Sequence, residues 1–250
     1  MYKKVKYEKV SNLIEKSYSQ YSAEPDDMWH GSIIPSSTFY KIGDKGYIAV
    51  DHQTVVDYYH EEGQYDIFVH LVNELGVDTA IVPSYHKQFY DLSLQFFKNK
   101  TLDTLLFKHQ HRMKLTNQLR FDYVTIDELP SVLEYSKTEL KDEGEWLKAY
   151  FAKLILQNGL LRFYDDGEVI GLGEVRVYKG AVNIGMSVSL KHRRKGYATK
   201  IVNQLVELNI EKGLDVIAST TTSNQGSIKT LKKCGFVNYH NIYKMENKQT

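Results

Sequence analysis

Three cations followed by a glycine stand at the junction of an apolar strand and an amphipathic helix. Arg193, Arg194 and Lys195 precede Gly196. The helix expected after them has its apolar residues at the spacing of one buried face, namely Ala198, Ile201, Val202, Leu205 and Val206. A helix start exposes unpaired backbone N–H groups and the positive end of the helix dipole, and a glycine lets a ligand approach the backbone closely. The segment therefore predicts a pyrophosphate cradle, and the alternative is a solvated basic turn.

A second motif follows downstream. The apolar strand from Leu214 to Ser219 leads to Asn224, a good N-cap residue, and to a helix that is expected to stop at Gly235. The order strand, R-x-x-G-x-A, helix, strand, N-x-x-S-x-x-x-L-x-K-x-G-F resembles the GCN5-related N-acetyltransferase (GNAT) superfamily over residues 118–247. The resemblance implies the acyl-CoA N-acyltransferase fold of class α+β, with a mixed, mostly antiparallel sheet that is splayed near its middle and flanked by helices.

The resemblance also implies a donor, an acceptor and a set of binding residues. The donor is acetyl-CoA and the acceptor is a primary amine. The backbone of Met186 and Val188 would pair with the pantetheine arm, the cradle would hold the pyrophosphate, and two polar side chains on the next helix would face the pantetheine. Carried over position by position, the cofactor-binding residues are Met186, Val188, Arg193, Arg194, Lys195, Gly196, Tyr197, Ala198, Thr199, Asn224 and Ser227.

Two acid–base groups found in many members of the superfamily are missing at the matching positions. Asn183 stands in place of a Glu, and Leu231 stands in place of a Tyr. Glu174 on the preceding strand is the candidate catalytic base, acting directly or through water; the alternative is a surface residue paired with Arg176. The backbone N–H of Val188 is the candidate donor to the thioester carbonyl.

Ser187, His192 and Tyr243 are weaker candidates for the base, and we expect His192 to be a solvated residue of the cradle turn. No metal is expected, since the pair His109 and His111 has no acidic or cysteine cluster beside it. Cys234 precedes the expected helix stop, so a packed small residue is the favoured interpretation. We expect direct transfer of the acetyl group in a ternary complex, because no residue stands out as the nucleophile of a covalent step.

The other elements of the C-terminal half follow from periodicity and turn residues. Thr125 and Glu128 form a capping-box pattern, and the sequence from Asp165 to Gly167 is typical of a hairpin turn. The expected order is strand 119–124, helix 125–133, helix 144–157, strands 160–164, 168–177 and 181–190, helix 196–212, strand 214–220, helix 226–234 and strand 237–245.

The N-terminal half resembles the second half as a faint repeat. Gly63 takes the place of Gly196, and the expected elements are strands 47–50 and 53–58, helix 67–72, strand 78–82, helix 92–97 and strand 104–108. We therefore expect a degenerate GNAT-like domain, or an unrelated α+β domain, over 1–115 and a GNAT domain over 116–250, with the boundary at 112–119.

The N-terminal half differs in charge from the second half at the equivalent turn. Glu61 and Glu62 precede Gly63 and would repel a diphosphate, so this half is expected to have lost cofactor binding and to serve as scaffold or as part of the acceptor wall. Residues 26–30 and 36–38 are expected to form a polar, aromatic loop. That loop could line an acceptor pocket or be a surface loop anchored by Trp29.

Composition limits the remaining possibilities. The chain has 250 residues, one cysteine and a formal net charge of +1, so it offers neither a disulfide framework nor a global field for nucleic acid or membrane. No apolar run approaches the length of a membrane span, and a cytoplasmic protein is expected. The expected partners are a small-molecule or peptide amine acceptor and, in a possible homodimer, a second copy. The rival function is a catalytically silent acyl-CoA-binding or regulatory module, which the missing Glu and Tyr favour.

Overall fold

The computed structural model describes residues 2–112, 118–141 and 144–247, which form two compact units. The first unit comprises Met1–Leu106, Ser219–Ser223 and Asn238–Thr250, and the second comprises Phe107–Ala218 and Asn224–Val237. Each unit is therefore discontinuous in sequence. The boundary predicted between residues 115 and 116 lies outside the described residues and stays a prediction.

In the first half of the chain, the described residues form six strands and four α-helices. They are β1 Tyr2–Val5, α1 Ser11–Tyr18, α2 Ile34–Ser36, β2 Thr38–Ile42, β3 Gly46–Asp51, β4 Thr54–His60, α3 Tyr65–Glu74, β5 Thr79–Pro83, α4 Lys87–Phe96 and β6 Asn99–His109. The expected strands and helices after residue 46 are confirmed, although α4 and β6 each begin five residues earlier than the predicted residues 92 and 104. The elements β1, α1 and β2 were not predicted.

The part of the second half that the structure describes contains six further strands and four α-helices. They are β7 Arg120–Tyr123, α5 Leu129–Tyr135, α6 Trp146–Leu156, β8 Leu160–Asp165, β9 Glu168–Tyr178, β10 Ala181–Val188, α7 Tyr197–Ile210, β11 Asp215–Thr221, α8 Gln225–Lys233 and β12 Phe236–Glu246. All the expected elements are present, with ends that differ by one or two residues, except that the first predicted helix is a 3-10 turn that continues into α5. The class α+β is confirmed.

The sheet of the first unit runs in the order β1-β2-β3-β4-β5-β12. β4 and β5 are parallel, whereas β12 is antiparallel to β5 from the pair Ile242–Pro83 to the pair Glu246–Thr79. The last strand of the chain thus completes the sheet built by the first repeat. Its Met245 is buried in the same hydrophobic cluster as Ile48, Phe68 and Phe89.

A buried polar cluster also lies in the first unit. Asp57 and His86 are 1% and 2% exposed. The Tyr47 hydroxyl donates to Asp57 Oδ2 at 2.6 Å, and His86 Nε2 lies 2.8 Å from Ser17 Oγ and 3.4 Å from Asp57 Oδ1. The backbone N–H of Phe89 donates to His86 Nδ1 at 3.1 Å, so His86 is the N-cap of α4.

The prediction of a loop at residues 26–30 and 36–38 is wrong. Residues 29–33 form a π-helical turn that continues into α2, and β2 begins at Thr38. His30 is 2% exposed, because its ring nitrogens contact the Tyr18 and Tyr85 hydroxyls at 3.1 and 2.8 Å. Trp29 donates from Nε1 to the Val56 carbonyl at 3.2 Å. Hydrogen bonds to residues distant in sequence thus hold Trp29 and His30 against the rest of the first unit.

The sheet of the second unit runs in the order β11-β10-β9-β8-β7. The β8–β9 hairpin turns at Asp166 and Gly167, whose φ angles of +47° and +82° are those of the tight turn that the Asp-Gly sequence predicts. The apolar stripe of α7 is buried at Ile201, Val202, Leu205 and Val206, as predicted, whereas its fifth predicted member, Ala198, is half-buried. None of the helices that the structure describes has both the length and the apolar character needed to cross a bilayer.

Candidate functional site

Strands β10 and β11 separate part-way along the sheet of the second unit. Their parallel pairing runs from Ala181–Asp215 to Asn183–Ile217, although β10 continues to Val188. On the other edge of β10, the Ser189 N–H donates to the Ile170 carbonyl at 3.0 Å. Backbone groups alternate between the two edges of a strand, so the N–H groups of Met186 and Val188 point away from β9, into the gap.

The turn after β10 presents backbone donors to the same gap. Arg194 and Gly196 have φ angles of +63° and +86°, and left-handed residues turn successive N–H groups toward one side. Gly196 is the N-cap of α7 and has no side chain with which to cap the first turn. A Cβ built on Gly196 would meet no atom within 4 Å, so the space in front of these donors is open. Arg193 Nε donates to the Val188 carbonyl at 3.1 Å and fixes the turn to the strand.

A cavity of about 510 Å³ occupies this gap. It is lined by Met186, Ser187, Val188, His192, Arg193, Arg194, Gly196, Tyr197, Ala198, Thr199, Asn224, Gly226, Ser227 and Thr230. The structure thus brings together every predicted cofactor-binding residue except Lys195, which is exposed on the turn and is not among the lining residues. Their roles in binding stay predictions.

The start of α8 forms the wall opposite the cradle. Asn224 Oδ1 accepts a hydrogen bond from the Ser227 N–H at 3.1 Å, which confirms the predicted N-cap. The sequence reasoning missed Gly226 and Thr230 in this wall. Thr230 lies three positions after Ser227, the spacing at which two side chains share a helix face, and that spacing was the available signal.

The expectation that His192 is solvated is wrong. His192 is 9% exposed, with Nδ1 lying 2.8 Å from Ser189 Oγ and Nε2 lying 3.3 Å from Glu168 Oε2. Its ring meets the Tyr197 ring edge-on at a centroid distance of 5.8 Å. These contacts explain the burial, and they make His192 a support of the cradle turn. Tyr243, another weak candidate for the base, belongs to the first unit and pairs with Val82.

Glu174 is held in an ion pair on β9. Its Oε2 accepts from Arg176 Nη1 at 2.6 Å and from the Tyr150 hydroxyl at 2.6 Å. The pairing with Arg176 that the sequence left open is therefore present. Glu174 is not among the residues that line the cavity, but it faces Gly185, the residue next to Met186, across the β9–β10 pair.

In the first unit, the side chain of Gln88 binds the backbone at the end of β4, the strand that corresponds to β10. His60 ends β4 as Val188 ends β10. Gln88 Oε1 accepts from the His60 N–H at 2.9 Å, and Gln88 Nε2 donates to the His60 carbonyl at 2.7 Å. Glu61 pairs with Lys16 at 2.5 Å, and Glu62 pairs with Lys45. The backbone groups at this strand end are thus already bonded within the protein.

Two family models match successive parts of the chain. The acetyltransferase (GNAT) domain model matches residues 6–110, and the acetyltransferase (GNAT) family model matches residues 125–236. The chain belongs to the GNAT superfamily. It carries two GNAT repeats in tandem, so the predicted repeat is confirmed and the alternative of an unrelated N-terminal domain is wrong.

Known proteins resemble this tandem GNAT chain in sequence or in fold. The uncharacterised N-acetyltransferase YjdG of Bacillus subtilis (strain 168) is 27% identical over 151 residues, which cover 50% of this chain and 89% of YjdG. A GNAT-family acetyltransferase from Colwellia psychrerythraea has a TM-score of 0.92 at 19% identity, covering 99% of this chain and 100% of that one. A tandem GNAT protein from the clavulanic acid biosynthesis pathway, without AcCoA, has a TM-score of 0.64 at 13% identity, covering 100% and 99%. The two structures support the fold, and the family is one of acetyltransferases.

Proposed function

We propose that the chain is an N-acetyltransferase that moves an acetyl group from acetyl-CoA to a primary amine by direct transfer in a ternary complex. The observation that carries the proposal is the meeting of an unpaired strand edge, residues 184–188, with the uncapped start of α7 in one cavity. An extended amide chain pairs with a strand edge, and a helix start accepts phosphates. Both parts of an acyl-CoA therefore fit the residues present.

Backbone groups make most of the contacts to acetyl-CoA, the acetyl donor. Met186 and Val188 pair with the pantetheine arm, and the N–H groups from Arg194 to Thr199 hold the pyrophosphate. Asn224 and Ser227 face the arm from α8, where both residues line the cavity. Lys195 is exposed and adds positive charge that attracts the anionic ligand from a distance.

Bound acetyl-CoA supplies the electrophilic thioester carbonyl. The Val188 N–H donates where negative charge develops, an interaction worth about 3–4 kcal/mol in comparable sites. Glu174 would receive the first proton of the ammonium, directly or through water, and Tyr150 and Arg176 hold its carboxylate. The neutral amine would then form the C–N bond as the C–S bond of the thioester breaks, and its second proton would go to the departing thiolate. Burial raises the pKa of the Cys234 thiol to about 12, so this cysteine is protonated near neutral pH and is a poor nucleophile. That protonation supports direct transfer.

Thermal unfolding with and without acetyl-CoA tests the donor site. A ligand at about 100 times Kd stabilises the folded chain by about 2.7 kcal/mol, which corresponds to about 5–10 °C for a chain of this size. Gly196→Glu should abolish the shift, because it puts a carboxylate where the pyrophosphate binds. Gly180→Glu is the matched control: it also has a φ of +86° and open space at its Cβ, but it lies in the β9–β10 turn. Equal shifts in both variants would refute the assignment.

A catalytically silent acyl-CoA-binding module is the second candidate function. Asn183 and Leu231 at the family's usual acid–base positions favour it, as does the engagement of Glu174 by Arg176. Release of CoA thiol on addition of amines distinguishes the two candidates. A thermal shift without CoA release from any amine would favour the silent module.

A further inference from the structure

A polar cluster lies on the sheet of the second unit beside the cavity. We call it the Tyr150 cluster; it comprises Tyr150, Glu174, Arg176 and Asn183. The Tyr150 hydroxyl donates to Glu174 Oε2 at 2.6 Å and accepts from Arg176 Nη1 at 3.0 Å. Arg176 Nη1 also donates to Glu174 Oε2 at 2.6 Å, and Arg176 Nη2 donates to Asn183 Oδ1 at 3.3 Å. Three elements, α6, β9 and β10, therefore fix one carboxylate.

The strand register places this carboxylate close to the cavity. Glu174 lies opposite Gly185, and a Cβ at Gly185 would stand 2.8 Å from Glu174 Oε2. The missing side chain thus leaves room for the carboxylate over β10. Ser187, two residues further along the same face, lines the cavity. Two residues of strand span about 7 Å, a distance that one small substrate covers.

The charges in the cluster favour a cationic ligand. The two terminal nitrogens of Arg176 are bonded to Glu174, Tyr150 and Asn183, so its positive charge is directed into the cluster. The Glu174 side chain is 21% exposed and the Arg176 side chain is 12% exposed. Glu174 is therefore the more exposed side chain of the pair, and an ammonium group matches its charge better than a second carboxylate does.

An aromatic surface adjoins the carboxylate. Trp146 is 55% exposed, and its ring centroid lies 5.4 Å from that of Tyr150, one turn further along α6. An exposed indole at the start of a helix offers a flat apolar face to a ligand ring, and it attracts cations through its π system. The carboxylate and the indole thus both adjoin Tyr150.

We infer that the Tyr150 cluster and Trp146 form the acceptor subsite, and that the acceptor is a ring-bearing primary amine without a carboxylate on the amine carbon. Glu174 binds the ammonium group and Trp146 packs against the ring. Tyr150 and Arg176 are positioning residues, because they act by holding the Glu174 carboxylate. This inference rests on the proposed function, since it names the acceptor of that same site.

Steady-state kinetics with 2-phenylethylamine and L-phenylalanine test the inference, because the two acceptors differ only in the carboxylate. We expect kcat/KM to be at least tenfold higher for 2-phenylethylamine. Tyr150→Phe should raise the KM for this amine several-fold, because Glu174 loses the hydrogen bond from the Tyr150 hydroxyl, and it should leave the acetyl-CoA thermal shift unchanged. Trp146→Ala should raise the KM for 2-phenylethylamine but not that for ethylamine, which has no ring. Glu211→Gln, a change of an exposed carboxylate beyond the end of α7, is the control and should change neither constant.

The outcomes separate this inference from the proposed function. Equal kcat/KM for the two acceptors, an unchanged KM in Tyr150→Phe and Trp146→Ala, or turnover of other amines without turnover of 2-phenylethylamine would overturn the inference. Each of these results leaves CoA release intact. The absence of both an acetyl-CoA thermal shift and CoA release in the wild-type chain would overturn the proposed function, and the inference with it.

Discussion

Asp57 and His86 form a buried pair in the first unit. We expect the stability of a variant without His86 to fall as the pH rises, and the stability of a variant without Asp57 to rise. Burial raises the pKa of Asp57 from 3.8 to about 7, and burial lowers the pKa of His86 from 6.5 to about 3. Burial is the larger cause at both residues, and hydrogen bonds from Tyr47 and the Tyr58 N–H oppose the change at Asp57. Each effect should therefore survive removal of the partner.

The sign follows from the protons that each state binds. The raised pKa of Asp57 contributes stability that is present below pH 3.8 and is lost as the pH rises to about 7, a loss of about 4 kcal/mol. The lowered pKa of His86 contributes stability that is present above pH 6.5 and is lost as the pH falls to about 3, a loss of about 5 kcal/mol. Between pH 3.8 and pH 6.5 the two contributions to the free energy of unfolding change in opposite directions with pH, so they cancel in the wild-type chain.

Two substitutions should separate the slopes. Asn is a good N-cap, so His86→Asn keeps the cap of α4 and leaves Asp57 to titrate alone. Its free energy of unfolding should fall by about 2 kcal/mol, relative to wild type, between about pH 4.5 and pH 6. The free energy of unfolding of Asp57→Asn should rise by a similar amount over the same interval, because His86 then titrates alone. The double variant should follow the wild-type chain.

Urea unfolding followed by tryptophan fluorescence measures these values. The chain has two tryptophans, and only Trp29 lies in the first unit, so a Trp146→Phe background makes the signal specific to that unit. Single variants whose stability runs parallel to that of the wild-type chain from about pH 4.5 to pH 6 would refute the reasoning, because they would show that burial does not displace either pKa.

Three further predictions concern single side chains. Gln88→Ala should destabilise the first unit by about 1–3 kcal/mol in urea unfolding, because it leaves the His60 backbone groups unpaired, and calorimetry should still find one acetyl-CoA per chain. Asn224→Ala should cost about 1 kcal/mol through loss of the α8 cap and should weaken acetyl-CoA binding in the same titration. Gly185→Ala should raise the KM for the amine without reducing the acetyl-CoA thermal shift, because its Cβ displaces the Glu174 carboxylate.

Each of these predictions has a contrary result. Binding of two acetyl-CoA molecules by Gln88→Ala would show that the first repeat keeps a donor site, which Gln88 closes in the wild-type chain. Unchanged acetyl-CoA affinity in Asn224→Ala would remove this residue from the donor site. An unchanged amine KM in Gly185→Ala would separate Glu174 from the acceptor.

Local signals made most of the second unit predictable. The Asp-Gly turn, the Asn224 cap and the stripe on α7 each depend on residues within a few positions of one another, and all three are present. The cradle was predicted from its own segment, because the strand end, the glycine turn and the helix start are contiguous in sequence. Met186, Val188, Asn224 and Ser227 were predicted from the resemblance to the GNAT superfamily, and Gly226 and Thr230 of the α8 wall were missed.

Contacts between distant residues were not predictable in this way. His192 is buried by Glu168, which lies 24 residues earlier in the chain, and Gln88 reaches His60 across 28 residues. The element α1 buries only Leu13, Ile14 and Ser17, too few for a clear periodic pattern. The segment 26–30 has polar residues that are typical of a loop, but its hydrogen bonds to Tyr18 and Tyr85 bury it.

The place of β12 in the first unit affects the order in which the chain folds on the ribosome. In many proteins an N-terminal domain folds while the rest is still being synthesised. Here residues 238–246 complete the first sheet, and Met245 completes its core, yet both are translated after every residue of the second unit. The repeat that is made first is therefore finished last. Until then its β5 edge stays unpaired, and an unpaired edge is a site at which nascent chains associate with one another.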